Sequence, residues 1–298
     1  MFSLEALRAR EGDSLLLHFG EAEAPKLILI DGGPSGVYRD ALKPRLEQLR
    51  GERGVDSLPV ELLMISHVDS DHVRGILDLS REMVDDVTLR ESLSVDSLWH
   101  NSFEDALGEE AVAELAEVVS ARPAEAAEPA GLNAVVASVG EGRDLRGNAK
   151  RLGWPINDGF DDLIMAPESG REEVEFGELK LTVVGPLEAE VIAFRKEWDK
   201  EIAKLRAKQA AEGRQADYSD DSPWNLASIV CLVELADKRM LLTGDALGSR
   251  VLDGLRGAKL LDQNGQLELD LLKVPHHGSE RNVTQKFFEA LPAEHYLI

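Results

Sequence analysis

The stretch HVDSDHVRG, residues 67–75, places two histidines and two aspartates within six positions, directly after the apolar run ELLMIS. A run that short and apolar reads as a buried strand, so the polar cluster stands on the strand's C-terminal end. A helix is expected from about Val73, through GILDLSREMV. In an extended segment alternate residues point the same way, which lets His67 and Asp69 reach one ion, while Asp71 and His72, at the turn into the helix, reach a second. A calcium loop is the obvious rival and fails its own template. Counted from Asp69, its sixth position requires glycine and holds Arg74, and its twelfth requires glutamate and holds Ser80.

A divalent cation needs several nitrogen and oxygen donors converging at about 2.0 to 2.6 Å, so ligands distant in sequence must be carried on rigid strand ends. Two further strand ends qualify. LLTGD ends in Asp245, and LDLLKVP runs into HHGS with His276 and His277. Four of the seven histidines thus fall in two tight clusters, each behind an apolar strand. His18, His100 and His295 stand alone and read as hydrogen-bonded structural residues.

Outward from these clusters, residues 1–298 read as one domain. FSLEALRA, SLLLHF and KLILI are short strands, the last running into the turn DGGPSG. VYRDALKPRLEQLR has apolar positions at helical spacing in spite of Pro44, and a further strand falls at about Val95 to Trp99. Alternation returns in VEFGELKLTVVGP, and SIVCLVEL with KRMLLTGD reads as a hairpin joined at Ala236 to Lys238, followed by the helix ALGSRVLDGLRG. Two segments interrupt this rhythm. Residues from about 102 to 160 are rich in Ala and Glu and read as short helices of an insertion, a lid or a solvated decoration. From about 187 to 213 a charged helix has one apolar stripe, Val191, Phe194, Trp198 and Ile202. DGGPSG lacks the GK[ST] ending of a phosphate-cradling loop and reads as a tight turn beside the cleft. Arg39, Lys43 and Arg45 behind it either steer a phosphate or form a solvated face.

The chain carries 56 Asp and Glu against 33 Lys and Arg, a net charge of −23, which repels polyanions over the general surface. Only a local basic groove or metal ions in a cleft hold a phosphate against that charge. Cys231 is the single cysteine, which excludes an intramolecular disulfide, and no window approaches the roughly 18 apolar residues of a membrane span. No membrane anchor and a cytoplasmic location are expected.

His67-Val68-Asp69-Ser70-Asp71-His72 resembles the HxHxDH signature of the metallo-β-lactamase superfamily, with Asp69 in place of the second histidine. LLTGD resembles the strand end that carries that superfamily's bridging aspartate. KVPHHGS, the SHxDxDHxxG form of the first motif, the pair Asn225 and Ser228, and the opening LILIDGG are similar to the branch typified by the hydrolase domain of the ComEC competence protein and its free-standing soluble relatives. The matched motifs run from residue 26 to 279. The resemblance implies an α/β fold, an αββα sandwich with helical insertions, and two divalent metal ions at one edge of its sheets. It assigns His67 and Asp69 to one metal, Asp71 and His72 to the other, and Asp245 to both. His277 is the remaining ligand, with His276 beside it and Asp31 orienting the ligands from behind. It further implies a hydroxide between the metals, oriented by Asp71 and Asp245, attacking a phosphodiester of a nucleic acid or nucleotide, with His276 or Ser279 serving the oxyanion or the leaving group. A small ester, thioester or lactam is the rival substrate, and a binding or regulatory subunit with weakened chemistry is the rival class.

The sequence departs from the superfamily twice. No histidine lies between His100 and His276, where many members supply a further ligand; Asn225, Ser228 or water fills that corner. An oxygen-rich donor set moves preference from zinc towards manganese or magnesium. The family also continues with another strand and a Ser/Gly/His segment, whereas this chain ends in HYLI, which has the look of a strand completed by a longer protein or by a protein partner.

Overall fold

Short apolar runs bounded by turns build two sheets in the computed structural model, which describes residues 1–67, 69–102, 106–108, 132–161, 163–193, 195, 196, 200 and 227–298. The first contains β1 (Phe2–Ala6), β2 (Leu15–Phe19), β3 (Lys26–Ile30), β5 (Leu62–Ile65) and β7 (Leu98–His100), in the order β1-β2-β3-β5-β7. The second contains β8 (Glu172–Phe176), β9 (Leu179–Gly185), β10 (Val230–Leu235), β11 (Lys238–Leu242), β12 (Leu269–Lys273) and β13 (Ala293–Leu297), in the order β13-β12-β11-β10-β9-β8. The single strands expected over 60–66 and 95–99 are each broken. β4 (Leu58–Val60) and β6 (Leu93–Val95) pair with one another as a separate ladder before the chain steps into β5 and β7.

The period of two sorts side chains onto opposite faces. Leu15, Leu17, Ile28, Ile30, Met64 and Trp99 of the first sheet meet Leu181, Val183, Cys231, Val233 and Leu242 of the second in one buried cluster. On the outer face of the first sheet, Leu16, Leu29, Leu63 and Ile65 pack with residues of α1 (Lys43–Arg53), α2 (Ser70–Asp85) and α4 (Leu132–Leu152). A short helix, α3 (Val87–Ser92), precedes β6. Outside the second sheet, Val230, Leu232, Leu241 and Leu272 pack with α5 (Gly248–Gly257) and α6 (Gln285–Ala290). The layers are therefore αββα.

Two helices differ from their expected form. Over VYRDALKPRLEQLR a π-helical turn, Tyr38–Leu42, precedes α1, and Pro44 falls in the first turn of α1, where no N–H is needed. α2 begins at Ser70 rather than Val73, with Asp69 at the N-cap position, so Asp71 and His72 lie in its first turn. Of the insertion at about 102–160, α4 is described and packs on α2, whereas 103–105 and 109–131 lie outside the described residues. Phe194, Trp198, Ile202 and the helix beyond residue 200 lie outside them too; Val191 is buried. Among the described residues no helix is long and apolar enough to cross a membrane.

DGGPSG clasps α2 backbone to backbone. Gly32 N–H donates to His72 O at 2.8 Å and Gly75 N–H to Gly33 O at 2.9 Å. A Cβ on Gly75 would lie 1.9 Å from Gly32 O, so only glycine permits the approach. The basic residues behind the turn are committed to ion pairs: Arg39 with Asp40, Lys43 with Glu82, and Arg45 with Glu5 and Glu52.

Gly75→Ala is expected to destabilise the fold by about 1–3 kcal/mol or more through overpacking. Gly51→Ala is the control: it lies in α1 with no neighbouring atom within 4 Å of an added Cβ, and it should stabilise by roughly 0.5–1 kcal/mol. Urea denaturation of both variants measures the contrast; equal effects would contradict the packing described.

Candidate metal centre

β3, β5 and β7 run parallel, as do β11 and β12, and their C-terminal ends carry Asp31, His67, Asp245 and the HHG turn to one edge of the sandwich. β2 is antiparallel to β3, and β10 to β11, so the starts of β2 and β10 arrive at the same edge with Asp13 and Ser228. Ile229 N–H donates to Ser66 O at 2.8 Å, tying the two sheets together there.

The turns that carry the donors are strained. Asp31, His276 and His277 have φ of 57°, 48° and 51°, left-handed values that cost non-glycine residues about 1–3 kcal/mol each and persist only where surroundings dictate them. The surroundings here are specific. His276 N–H donates to Gly244 O at 3.2 Å, and Asp31 accepts from Ser66 N–H at 2.7 Å and from the Ser66 hydroxyl.

Three histidines of the cluster are held at Nδ1 by hydrogen bonds. His72 Nδ1 lies 2.9 Å from Asp31 Oδ2, His67 Nδ1 3.2 Å from Ser228 Oγ, and His276 Nδ1 3.0 Å from Asn282 Oδ1. His277 Nδ1 faces Asp13 Oδ1 at 3.8 Å. The Nε2 atoms turn inward. His72 Nε2 is 3.3 Å from Asp245 Oδ1 and 3.8 Å from Asp71 Oδ2; His277 Nε2 is 3.7 Å from each of the same two oxygens. His276 Nε2 is 3.9 Å from Asp245 Oδ2. On the other side of His72, whose ring centroid is 5.5 Å from that of His67, His67 Nε2 approaches Asp69 Oδ2 at 3.2 Å.

Asp71, His72, Asp245, His276 and His277 therefore surround one space, and His67 with Asp69 borders it. Asp13 was not expected. Asp13, His72, Asp245 and His277 each offer a ligand atom, all within 4.8 Å of one another, which makes them a group able to hold a metal ion. Its only sequence signal is the polar tip EGDS ahead of SLLLHF, at the start of a strand rather than the end. Gly12 brings it in: a Cβ there would lie 2.0 Å from Asp71 O. Asn225 lies outside the described residues. His18 is paired with Glu5 and Arg53, and His295 is exposed on β13. His100 differs from its expected satisfied state: it is buried, and neither ring nitrogen has a hydrogen-bond partner among the described residues. Burial, with Arg146 nearby, pushes its pKa down to about 3 and keeps it neutral.

Electrostatics mark the centre as short of positive charge. Burial pushes the His72 imidazole down, but the Asp245 and Asp31 carboxylates outweigh it and hold the ring well above its ordinary value. His67 is raised against its own burial by Asp69 and Asp245. Asp245 moves the opposite way: burial opposes ionisation, yet His72, His67 and His277 drive its carboxyl far below the usual range. Asp71 is lowered against burial by His277 and His72. In the absence of a cation, protons on histidine are what balance these carboxylates.

A divalent ion fits the same need. Among the described residues, His67 Nε2, His72 Nε2, His277 Nε2 and Asp245 Oδ1 are buried and make no hydrogen bond, although carboxylate oxygens lie within ion-pair distance of the three nitrogens. Buried polar atoms left without partners are rare and call for a missing one. Donors each about 2.1 Å from a tetrahedral ion stand about 3.4 Å apart, close to the separations found here.

No family model matches the sequence, and no curated protein matches it. Among solved structures the chain is similar to the crystal structure described as "Putative metal-dependent hydrolase from Parabacteroides distasonis", at 10% identity and a TM-score of 0.36, over 99% of this chain and 86% of that one. A TM-score that low leaves the site to stand on its own residues.

The raised His72 value fixes the sign of a pH effect. Its protonated ring contributes stability in full below the ordinary 6.5, and that contribution is lost as pH rises through the higher folded value. A metal takes only the deprotonated ring. The rise in melting temperature that Mn²⁺ or Zn²⁺ produces over an EDTA-treated sample should therefore be larger at about pH 8 than at about pH 6. A thermal shift that is equal at both, or larger in acid, would remove His72 from the metal-binding group.

Proposed function

We propose that this chain is a hydrolase working with two divalent cations, and that its substrates are phosphodiesters of a nucleic acid or nucleotide. The observation that carries the reading is the convergence of the inward Nε2 atoms of His72 and His277 on Asp245 Oδ1, with the ring of His67 beside that of His72; these three Nε2 atoms and Asp245 Oδ1 are buried without a hydrogen-bond partner among the described residues. His67 and Asp69 would hold one ion, Asp71, His72 and His277 the other, and Asp245 would serve both. Bound there, such ions lower the pKa of a coordinated water and neutralise charge on phosphoryl oxygens. That neutralisation is what an anionic substrate needs when it approaches a chain of net charge −23.

The remaining steps belong to the chain's own groups. Asp71 and Asp245 orient the attacking water, whose proton passes to solvent. His276, held at Nδ1 by Asn282 and only half exposed, presents Nε2 to the leaving oxygen as a proton donor. The mixture of carboxylate oxygens and imidazole nitrogens favours manganese over an all-imidazole zinc site. The order of the motifs supports affiliation with the ComEC-type branch of the metallo-β-lactamase superfamily.

The test is turnover of bis-p-nitrophenyl phosphate and of a chromogenic lactam by metal-stripped protein, with Mn²⁺ and Zn²⁺ supplied in turn. Phosphodiester turnover dependent on the added ion is expected. Asp245→Asn should lower it by more than about 100-fold, beyond the loss typical of removing a group that merely supports a ligand. Turnover of the lactam alone would reassign the substrate class, and less than one bound metal per chain with no hydrolysis under any ion would turn the reading to a binding role.

A further inference from the structure

Lys273 ends β12 and is 1% exposed, among the largest fully buried side chains described. Among the described residues its Nζ has two partners, Asp13 Oδ2 at 2.9 Å and the backbone oxygen of Val274 at 3.1 Å. Burying an ammonium group is unfavourable unless a counter-ion and hydrogen bonds replace its water, so Asp13 is necessary to Lys273. Asp13 is itself buried, and its other oxygen faces away from Lys273: Oδ1 lies 3.8 Å from His277 Nδ1. His277, in its left-handed conformation, directs Nε2 at Asp71 and Asp245. Lys273, Asp13 and His277 therefore form a line running from the interior to the centre.

The ring of His72 stands in the same relation to its surroundings. Asp31 lies behind its Nδ1 and the Ser66 amide and hydroxyl lie behind Asp31. The two lines differ in what anchors the carboxylate: the neutral donors of Ser66, at the end of the neighbouring strand β5, for Asp31, and a buried cation of the second sheet for Asp13. A carboxylate behind a ligating imidazole fixes its tautomer and its direction.

We propose that Lys273 and Asp13 are positioning residues: Lys273 anchors Asp13, and Asp13 holds His277 with its proton on Nδ1, leaving Nε2 for a divalent cation. The proposal rests on the reading of His277 as a ligand. It assigns Asp13 to a place behind the ligand rather than among the ligands, and it makes the β1–β2 loop, a segment distant in sequence from every metal motif, part of the centre.

The test uses the full chain and its D13N, K273M and D13N/K273M variants, with Mn²⁺ affinity measured by calorimetry, thermal melting, and the His277 tautomer read by ¹⁵N NMR in the metal-free state. D13N and K273M are each expected to weaken Mn²⁺ binding about 10- to 100-fold. K273M also leaves a buried carboxylate unpaired and lowers the melting temperature; the double variant, with neither charge, regains melting temperature and does not regain affinity. Should K273M fail to fold, the double variant carries the comparison. A double variant that binds Mn²⁺ as tightly as the parent shows the pair to be structural only and overturns the proposal. If the parent binds neither Mn²⁺ nor Zn²⁺, the hydrolase reading falls separately, and the tautomer then decides: Nδ1–H in the parent and its loss in D13N support the positioning role, while the same tautomer in both overturns it.

Discussion

Four carboxylates, those of Asp13, Asp31, Asp71 and Asp245, are gathered at one edge of a sandwich, three of them fully buried. Like charges removed from water repel strongly and each loses its hydration, so such a cluster exists only where positive charge or hydrogen bonds are delivered to it. The fold delivers them unequally. Lys273 neutralises Asp13, and the Ser66 amide and hydroxyl satisfy Asp31. Among the described residues Asp71 and Asp245 have only imidazoles as positive partners, whose inward nitrogens must bear protons or share a cation. That shortfall shapes the chemistry open to the centre.

The backbone is arranged to keep the gathering in place. Both sheets contribute, and the hydrogen bond from Ile229 to Ser66 joins them where the donors stand. The inter-sheet core, filled mainly by aliphatic side chains with Trp99 and Phe19, keeps the strand ends at fixed separation. Glycine at 75 and 12 lets one backbone touch another, which brings the first turn of α2 and the loop of Asp13 to the centre together. The left-handed residues Asp31, His276 and His277 carry strain at the turns where direction matters, a distribution expected where geometry is held for function. Rigid support of this kind lets imidazoles be aimed by groups behind them before any ion arrives.

Much of this was legible in the chain. HVDSDH, LLTGD and HHGS each follow an apolar run, and the alternation within those runs announced strands whose tips carry donors. Other features were not. The start of α2 at Ser70 depends on how the DGG turn grips it, which periodicity does not report. His100 looked like an ordinary satisfied histidine and is buried without a partner for its ring among the described residues, because its neighbours come from α4 rather than from adjacent sequence. Asp13 was one acidic residue among 56.

Local periodicity and residue chemistry by themselves determined the strands, their buried faces, and the three polar tips able to bind a metal, since those properties depend on neighbours a few positions away. Tertiary structure alone decided which tips meet and what stands behind each imidazole. The reason lies in strand direction: because β2 runs antiparallel to β3 and β10 to β11, residues at strand starts, Asp13 and Ser228, reach the edge where the parallel strands end. Pairing direction is set by packing between segments far apart in the chain, and no window of sequence contains it.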